Sequence, residues 1–335
     1  MTTPSRGARR LRLGTRKSPM AMAQTQHVAR LITERTGCEG ELTGITTFGD
    51  VSRAQLAQIG GTGVFVSALR ASLLAGDIDV AVHSLKDLPV AQPDGIELAA
   101  VPARDDPRDA LAARDGAKLA DLPPGATIGT GSPRRAAQLL LLRPDIRPVP
   151  VRGNAGTRLG RVASGEVDAV VLAYAGLARI GRIDLVSEIF EPDDMVPAPG
   201  QGALAVECRA EDGELTELLA MIDHPASRAA VTAERSLLAA LEAGCSAPVG
   251  AYAEFRQASP DRLQLHGVVI GVPAATRQTV GPDATAGSGA MVVRERGEAD
   301  AAGAARLGRE LAARMLALGA ADLIGAKTDR DDAHD

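Results

Sequence analysis

Apolar positions along this chain change period repeatedly, and each change marks an element. LRLGT (11–15) alternates and predicts a short strand. Ser18-Pro19 then opens a helix running to about Arg35. Serine caps the free amides there, and proline is tolerated at the first helical position because that N–H has no partner within the helix. ELTGITTFG (41–49) predicts a second strand. The segment 47–63 has few apolar anchors and holds Gly60, Gly61 and Gly63, which predicts a mobile loop. VFVSALRASLLAG (64–76) predicts a helix with a glycine at its end, and DIDVAVHS (77–84) a near-continuous apolar run of the kind buried in a parallel sheet.

Residues 109–197 repeat the alternation. ATIGTG predicts a strand and SPRRAAQLLLL a helix, again with Ser-Pro at its start. RPVPVRGN predicts a strand, GTRLGRVASG a helix, and VDAVVLAYAGLARIG a strand running into a helix. MVPAPGQGALAVECR crosses a Pro/Gly-rich joint into a strand placed to return to the first domain. HPASRAAVTAERSLLAALEAG predicts a long amphipathic helix. VGAYAEF, LQLHGVVI and MVVRERGE predict a small sheet, closed by a helix over 300–319. Pattern alone thus gives a multi-domain α/β protein.

Composition narrows the class. A chain of 335 residues exceeds one ordinary domain, and 45% hydrophobic content supports packed cores. Aromatics are 2% with no Trp, and net charge is −5, so neither stacking platforms nor an overall basic field for nucleic acid is expected. Of 37 basic residues only Lys17, Lys86, Lys118 and Lys327 are lysines. A GC-rich genome accounts for most of the arginines, so only clusters at special backbone positions are informative. Cys38, Cys208 and Cys245 are odd in number and lack a C-x-x-C spacing, which argues against disulfides and metal. Cys208 fits a buried strand position, and Cys38 an exposed turn. The start MTTPSRGARRLRL has no apolar core of a signal peptide, and no apolar run matches a bilayer. A cytoplasmic, soluble monomer without membrane partners is the expectation.

Four predicted strand ends carry unusual polar groups. They are Arg16-Lys17-Ser18; Ser84, Lys86 and Asp87 in HSLKDLP; Thr130, Ser132, Arg134 and Arg135 in TGSPRR; and Arg152, Asn154, Thr157 and Arg158 in RGNAGTR. Arg179 follows another strand by about a helical turn. In open α/β domains ligands collect at such ends, and a helix N-terminus with a hydroxyl and a guanidinium suits a small anion. Several such sites suit a ligand with several carboxylates or phosphates; solvated arginines beside routine caps are the plain alternative. Asp87 is the lone carboxylate of its stretch. It either stabilises a developing cation and carries protons or forms a structural salt bridge with Lys86. Cys245, in the turn LEAGCSAPVG, is either a small buried hydrophobe or a nucleophile reaching into a cleft. GTGSPR lacks the final glycine of a dinucleotide fingerprint, and GGTGVF lacks the ending of a P-loop.

HSLKDLP, GTGSPRR, VRGNAGTRL, GQGALAVECR and EAGCSAPVG occur here in that order, and together they resemble the porphobilinogen deaminase (hydroxymethylbilane synthase) family from about residue 11 to about residue 255. The resemblance implies a transferase of tetrapyrrole (haem) biosynthesis. It would join four porphobilinogen molecules head to tail into linear hydroxymethylbilane, releasing ammonia at each addition. It implies a dipyrromethane cofactor bound as a thioether to Cys245, and Asp87 as the catalytic aspartate that stabilises an azafulvenium cation and handles protons at the pyrrole nitrogen and leaving amine. It places Arg16, Ser18, Ser84, Lys86, Thr130, Ser132, Arg134, Arg135, Arg152, Arg158 and Arg179 around the carboxylates of cofactor and substrate. Gln24 and Gln201 would line the site, and Phe65 would stack on a pyrrole or pack in the core. It also implies three α/β domains. Domain 1 (9–103 plus 203–221) and domain 2 (104–202) would be like the lobes of type II periplasmic binding proteins, hinged across a cleft. Domain 3 (224–325) would be a small α+β unit carrying Cys245; apart from the resemblance, the polar ends 1–8 and 326–335 are expected to be disordered. Relatives often carry lysines where this chain has Gln58, Thr62 and Ser67, a departure that bears on anion binding by that segment. The rival readings are a two-lobed organic-anion binding module without catalysis and a phosphate-dependent α/β enzyme.

Overall fold

The computed structural model describes residues 10–45, 61–243, 247–256, 259–271 and 291–324, the side chains of 61–65 excepted. The first strands are β1 (Arg10–Arg16), β2 (Glu39–Ile45), β3 (Val80–Ser84), β4 (Ile96–Ala100) and β5 (Asp109–Ala113). Then come β6 (Thr127–Gly129), β7 (Arg147–Val149), β8 (Ala169–Ala173), β9 (Glu188–Ile189) and β10 (Leu204–Arg209). The last are β11 (Val249–Phe255), β12 (Leu263–Gly271) and β13 (Met291–Ala299). The helices are α1 (Pro19–Thr36), α2 (Gly61–Leu74), α3 (Pro133–Leu142), α4 (Ala155–Ala163) and α5 (Tyr174–Arg179). They continue with α6 (Gly213–Ala220), α7 (Pro225–Ala240), α8 (Ala304–Ala317) and α9 (Ala320–Ile324).

These elements make an α/β protein with three sheets, in the orders β2-β1-β3-β10-β4, β7-β6-β8-β5-β9 and β11-β12-β13. Contacts divide the chain into two compact units, 1–106 with 201–228 and 107–200 with 229–335.

In the first unit β1 runs parallel to both β2 and β3, so the carboxyl ends of β1 and β3 emerge side by side. β10 enters antiparallel between β3 and β4, which is the return that the sequence predicts. One face of the sheet is buried by Val28 and Ile32 of α1 with Leu215 and Leu219 of α6. The other face is buried by Leu69 and Leu73 of α2 with Ile78, Ala81 and Ile96. Because both faces are covered, β3 has the apolar run VAV rather than an alternation. Cys208 is buried as expected, but Cys38 is buried too, not exposed. Gly37 takes a left-handed φ of 73° that turns the chain back, and Thr33 Oγ1 donates to the Cys38 carbonyl at 2.9 Å, folding the thiol into the core.

In the second unit β6 runs parallel to β7 and β8, and β5 pairs antiparallel with β8 and β9. Leu111, Ile128, Leu139, Val171 and Phe190 fill its core. The antiparallel third sheet packs Val249, Leu265 and Val269 against Leu237 of α7 and Leu311 and Met315 of α8. Its other side carries Val268 and Ile270 against Val196 and Ala137, which explains why β12 is apolar almost throughout.

Helix α2 starts at Gly61, so 61–63 are helical rather than part of the predicted loop. Glycine in a helix costs only about 1 kcal/mol, and no proline forbids the extra turn. The rest of that loop, the termini 1–9 and 325–335, and the Cys245 turn (244–246) lie outside the described residues.

Candidate active site

In the first unit the site is built where β1 and β3 end. Ser18 caps α1, its Oγ accepting the Ala21 N–H at 3.3 Å with Pro19 behind it. Beyond Ser84 the chain tightens into a 3-10 turn over Leu85–Asp87. Fully buried Leu85 anchors that turn, and its N–H donates to the Ala203 carbonyl at 3.0 Å. The turn therefore faces its polar residues outward while its first residue is held by the core. A pocket opens here, lined by Arg16, Gln24, Val66, Leu69, Ser84 and Asp87, with Ala21, Val82 and His83. Four residues singled out from sequence thus meet, and Asp87 is the one carboxylate among the lining residues. Gln24 Nε2 donates to Ser84 Oγ at 2.8 Å, tying α1 to the end of β3. Lys86 Nζ donates to Oε1 of buried Gln201 at 3.2 Å, and the Gln201 carbonyl accepts from Arg104 Nε at 2.8 Å. Phe65 belongs to α2, but its side chain lies outside the described residues.

In the second unit the cations gather at the starts of α3 and α4. Ser132 caps α3 by accepting the Arg135 N–H, and buried Thr130 accepts the Ser132 N–H at 3.2 Å. Arg134 and Arg135 are both buried, and both pair with fully buried Asp109 at the head of β5. Arg134 Nη1 lies 2.8 Å from Asp109 Oδ2, and Arg135 Nη2 lies 2.7 Å from Oδ1. Arg134 Nη1 also donates to the Val196 carbonyl at 2.7 Å, and Arg135 Nη1 to that of Val171 at 3.2 Å. Burial pushes the Asp109 carboxyl up, but the two guanidinium charges outweigh it and hold the group well below the usual carboxylate range. Two guanidinium groups thus share one buried carboxylate. Nε of Arg134 is buried without a hydrogen-bond partner.

Asn154 caps α4 by accepting the Thr157 N–H at 2.9 Å, and Arg158 Nε folds back onto the Gly153 carbonyl at 2.9 Å. Burial, with the charge of Arg135, lowers the Arg158 pKa. Arg158 therefore lies within electrostatic reach of Arg135. Arg152 is exposed and Arg179 half-buried.

Sequence reasoning missed Asp109 and His83. Asp109 opens the strand DALAA, 25 positions before Arg134, and nothing local marks its partners. His83 looks like one more residue of a buried strand.

Two family models match the chain. "Porphobilinogen deaminase, dipyromethane cofactor binding domain" covers residues 11–217, and "Porphobilinogen deaminase, C-terminal domain" covers 228–317. The chain belongs to the porphobilinogen deaminase family. The porphobilinogen deaminase of Thermobifida fusca is 59% identical over 325 residues, 96% of each chain. Porphobilinogen deaminase 1 of Streptomyces coelicolor is 55% identical over 326 residues, 95% of this chain and 98% of that one. Among solved structures, a periplasmic substrate-binding protein of an ABC transporter from Coxiella burnetii has a TM-score of 0.41 at 15% identity, over 67% of this chain and 96% of that one. Porphobilinogen deaminases are transferases, and these relatives support that reading over a binding module without catalysis.

The residues present fit a dipyrromethane. The group is rich in carboxylates, and the second unit brings Arg134 and Arg158 near Arg135, with Arg134 Nε buried and unpartnered. Cys245, to which the family resemblance assigns the thioether, lies outside the described residues.

Proposed function

We propose that this chain condenses four porphobilinogen molecules head to tail into hydroxymethylbilane, with Asp87 as the catalytic carboxylate and Cys245 as the cofactor anchor. The observation that carries this reading is the pocket in which Asp87 stands as the lone lining carboxylate beside Arg16, Gln24 and Ser84. When bound, the dipyrromethane supplies the primer that is extended. The protein's own groups do the rest. Arg16, Lys86, Arg134, Arg152, Arg158 and Arg179 hold the acetate and propionate groups of successive pyrroles, each charge-assisted contact being worth about 1.5–3 kcal/mol. The Arg135 side chain adds its charge from its seat on Asp109. Ser18, Ser84, Thr130, Ser132, Gln24 and Gln201 orient ring and carboxylate by neutral hydrogen bonds. Loss of ammonia leaves porphobilinogen as an electron-poor cation, and an anionic Asp87 oxygen stabilises that charge as it develops. Three separate sheets, each with its own apolar core, support a three-domain division near 9–103 plus 203–221, 104–202 and 224–325. A cytoplasmic monomer is the accompanying proposal. Among the described residues no helix is long and apolar enough to cross a membrane.

Intact mass and turnover together test the reading. The purified protein is expected to exceed its sequence mass by one dipyrromethane, and Cys245→Ser to lose that increment. Asp87→Asn is expected to keep the increment while turnover falls by about 100-fold or more. An unmodified wild-type mass, or near-normal turnover in loaded Asp87→Asn, would refute it.

A further inference from the structure

The pocket that holds Asp87 has a second titratable side chain. His83 lines it from the end of β3 and is 6% exposed. Its Nε2 lies 3.1 Å from Oε2 of Glu207 on the neighbouring strand β10. The approach is oblique, at ion-pair distance without a well-aligned hydrogen bond. Glu207 is 2% exposed and sits where the β10–β4 register shifts, a local irregularity of the kind that re-aims a side chain. It is braced from helix α2, where Arg70 donates from Nε at 3.0 Å and from Nη2 at 2.7 Å, one to each carboxylate oxygen. Arg70 is one helical turn beyond Val66, which lines the same pocket. A chain of three charged or chargeable groups therefore runs from α2 through β10 to the pocket.

We propose that His83 is a second proton-holding residue of this pocket, with the Arg70–Glu207 pair fixing which ring nitrogen faces the reaction. The inference rests on the proposed function. A carboxylate beside Nε2 favours the proton there, which leaves the lone pair of the neutral imidazole on Nδ1. Nδ1 makes no hydrogen bond among the described residues. Burial pushes the Glu207 carboxyl up, but the contacts of His83 and Arg70 outweigh it and bring it down to about 2, so the carboxylate stays charged through the working pH range. Among the described residues the charged groups around the ring and pocket are Arg16 from β1, Arg70 from α2, Glu207 from β10, and Asp87 from the turn after β3; α1 contributes Ala21 and neutral Gln24.

The chemistry needs such a group. Each condensation breaks one α-C–H bond of a pyrrole, and the electron pair stays in the ring. The aminomethyl ammonium of porphobilinogen leaves as ammonia, taking the C–N pair. The freed proton ends on that ammonia as ammonium, so atoms and charge balance without an outside reagent. A carboxylate that must remain negative to stabilise the cation is poorly placed to take up the same proton at that moment. His83 Nδ1 takes it up and hands it on, leaving Asp87 charged.

Two readouts test this on the full-length, cofactor-loaded protein. The first is the 15N chemical shifts of the His83 ring, assigned by their loss in His83→Gln. They are expected to show the Nε2–H tautomer in the wild type and a shift toward Nδ1–H in Glu207→Gln. The second is kcat/KM against pH, in which His83→Gln is expected to lose one limb that the wild type shows. A wild-type Nδ1–H tautomer, or a His83→Gln profile with every limb intact, would overturn the inference. If His83→Gln does not fold, the kcat/KM profile of Glu207→Gln decides: an unchanged profile overturns the inference, and a lost or displaced limb supports it. Absence of any porphobilinogen consumption by the wild type would instead overturn the proposed function, and this inference with it.

Discussion

Asp109 shows what one buried carboxylate does for the residues around it. It is fully buried and faces two guanidinium groups at 2.7–2.8 Å. A neutral amide in its place would take this counter-charge away from both buried cations, and breaking a buried ion pair costs about 3–5 kcal/mol. Asp109→Asn is therefore expected to lower the urea midpoint by a corresponding amount, and to reduce the fraction of molecules that carry the added mass. The same residue marks the limit of sequence reading. Ser18-Pro19 and Ser132-Pro133 announce caps because their partners lie three positions on, at Ala21 and Arg135. Asp109, Glu207 and Glu234 announce nothing, because their partners come from other elements. Glu207 meets Arg70 across 137 positions, and Glu234 accepts the N–H groups of Gly200 and Ala253. Their roles exist only once the chain has folded, so their letters read as single acids in apolar or amphipathic stretches.

At the scale of elements, close approach decides what can change. Helix α8 crosses α7 at Gly308, where an added Cβ would lie 2.3 Å from the Ala233 carbonyl and 2.8 Å from the Leu237 nitrogen. Those are backbone atoms, which cannot swing aside as a side-chain tip does. Gly308→Ala is expected to force the two helices apart and destabilise the protein by about 1–3 kcal/mol, read as a lowered melting temperature. Helices with strong local signals were legible, and so was the return of β10, because a Pro/Gly joint precedes an apolar strand. The three-residue strands β6 and β7 were legible beside their helices, whereas β4, β5 and the two-residue β9 were not.

For the whole molecule, acid is the informative stress. Burial, helped by Arg296 and Arg294, lowers His266 to about 4, opposed by Asp193. The unfolded chain therefore binds a proton near pH 6.5 that the folded chain refuses until about pH 4. Stability falls across that interval as pH drops. Glu207, held near 2, and Asp109, held lower still, add a second loss below the ordinary carboxylate range, because protons again favour the unfolded chain. The urea midpoint is expected to decline from pH 7 toward pH 4 and then more steeply. His266→Gln is expected to flatten only the upper part of that decline.

The position of β10 has a consequence for the order in which the protein is made. The sheet of β5 to β9 is complete once residue 189 has been synthesised, and its residues are contiguous. The sheet at the amino-terminal end is not, since its fourth strand in spatial order is supplied by residues 204–209. On the ribosome the half translated first must wait with an open seam between β3 and β4, while the half translated second has every strand it needs to close.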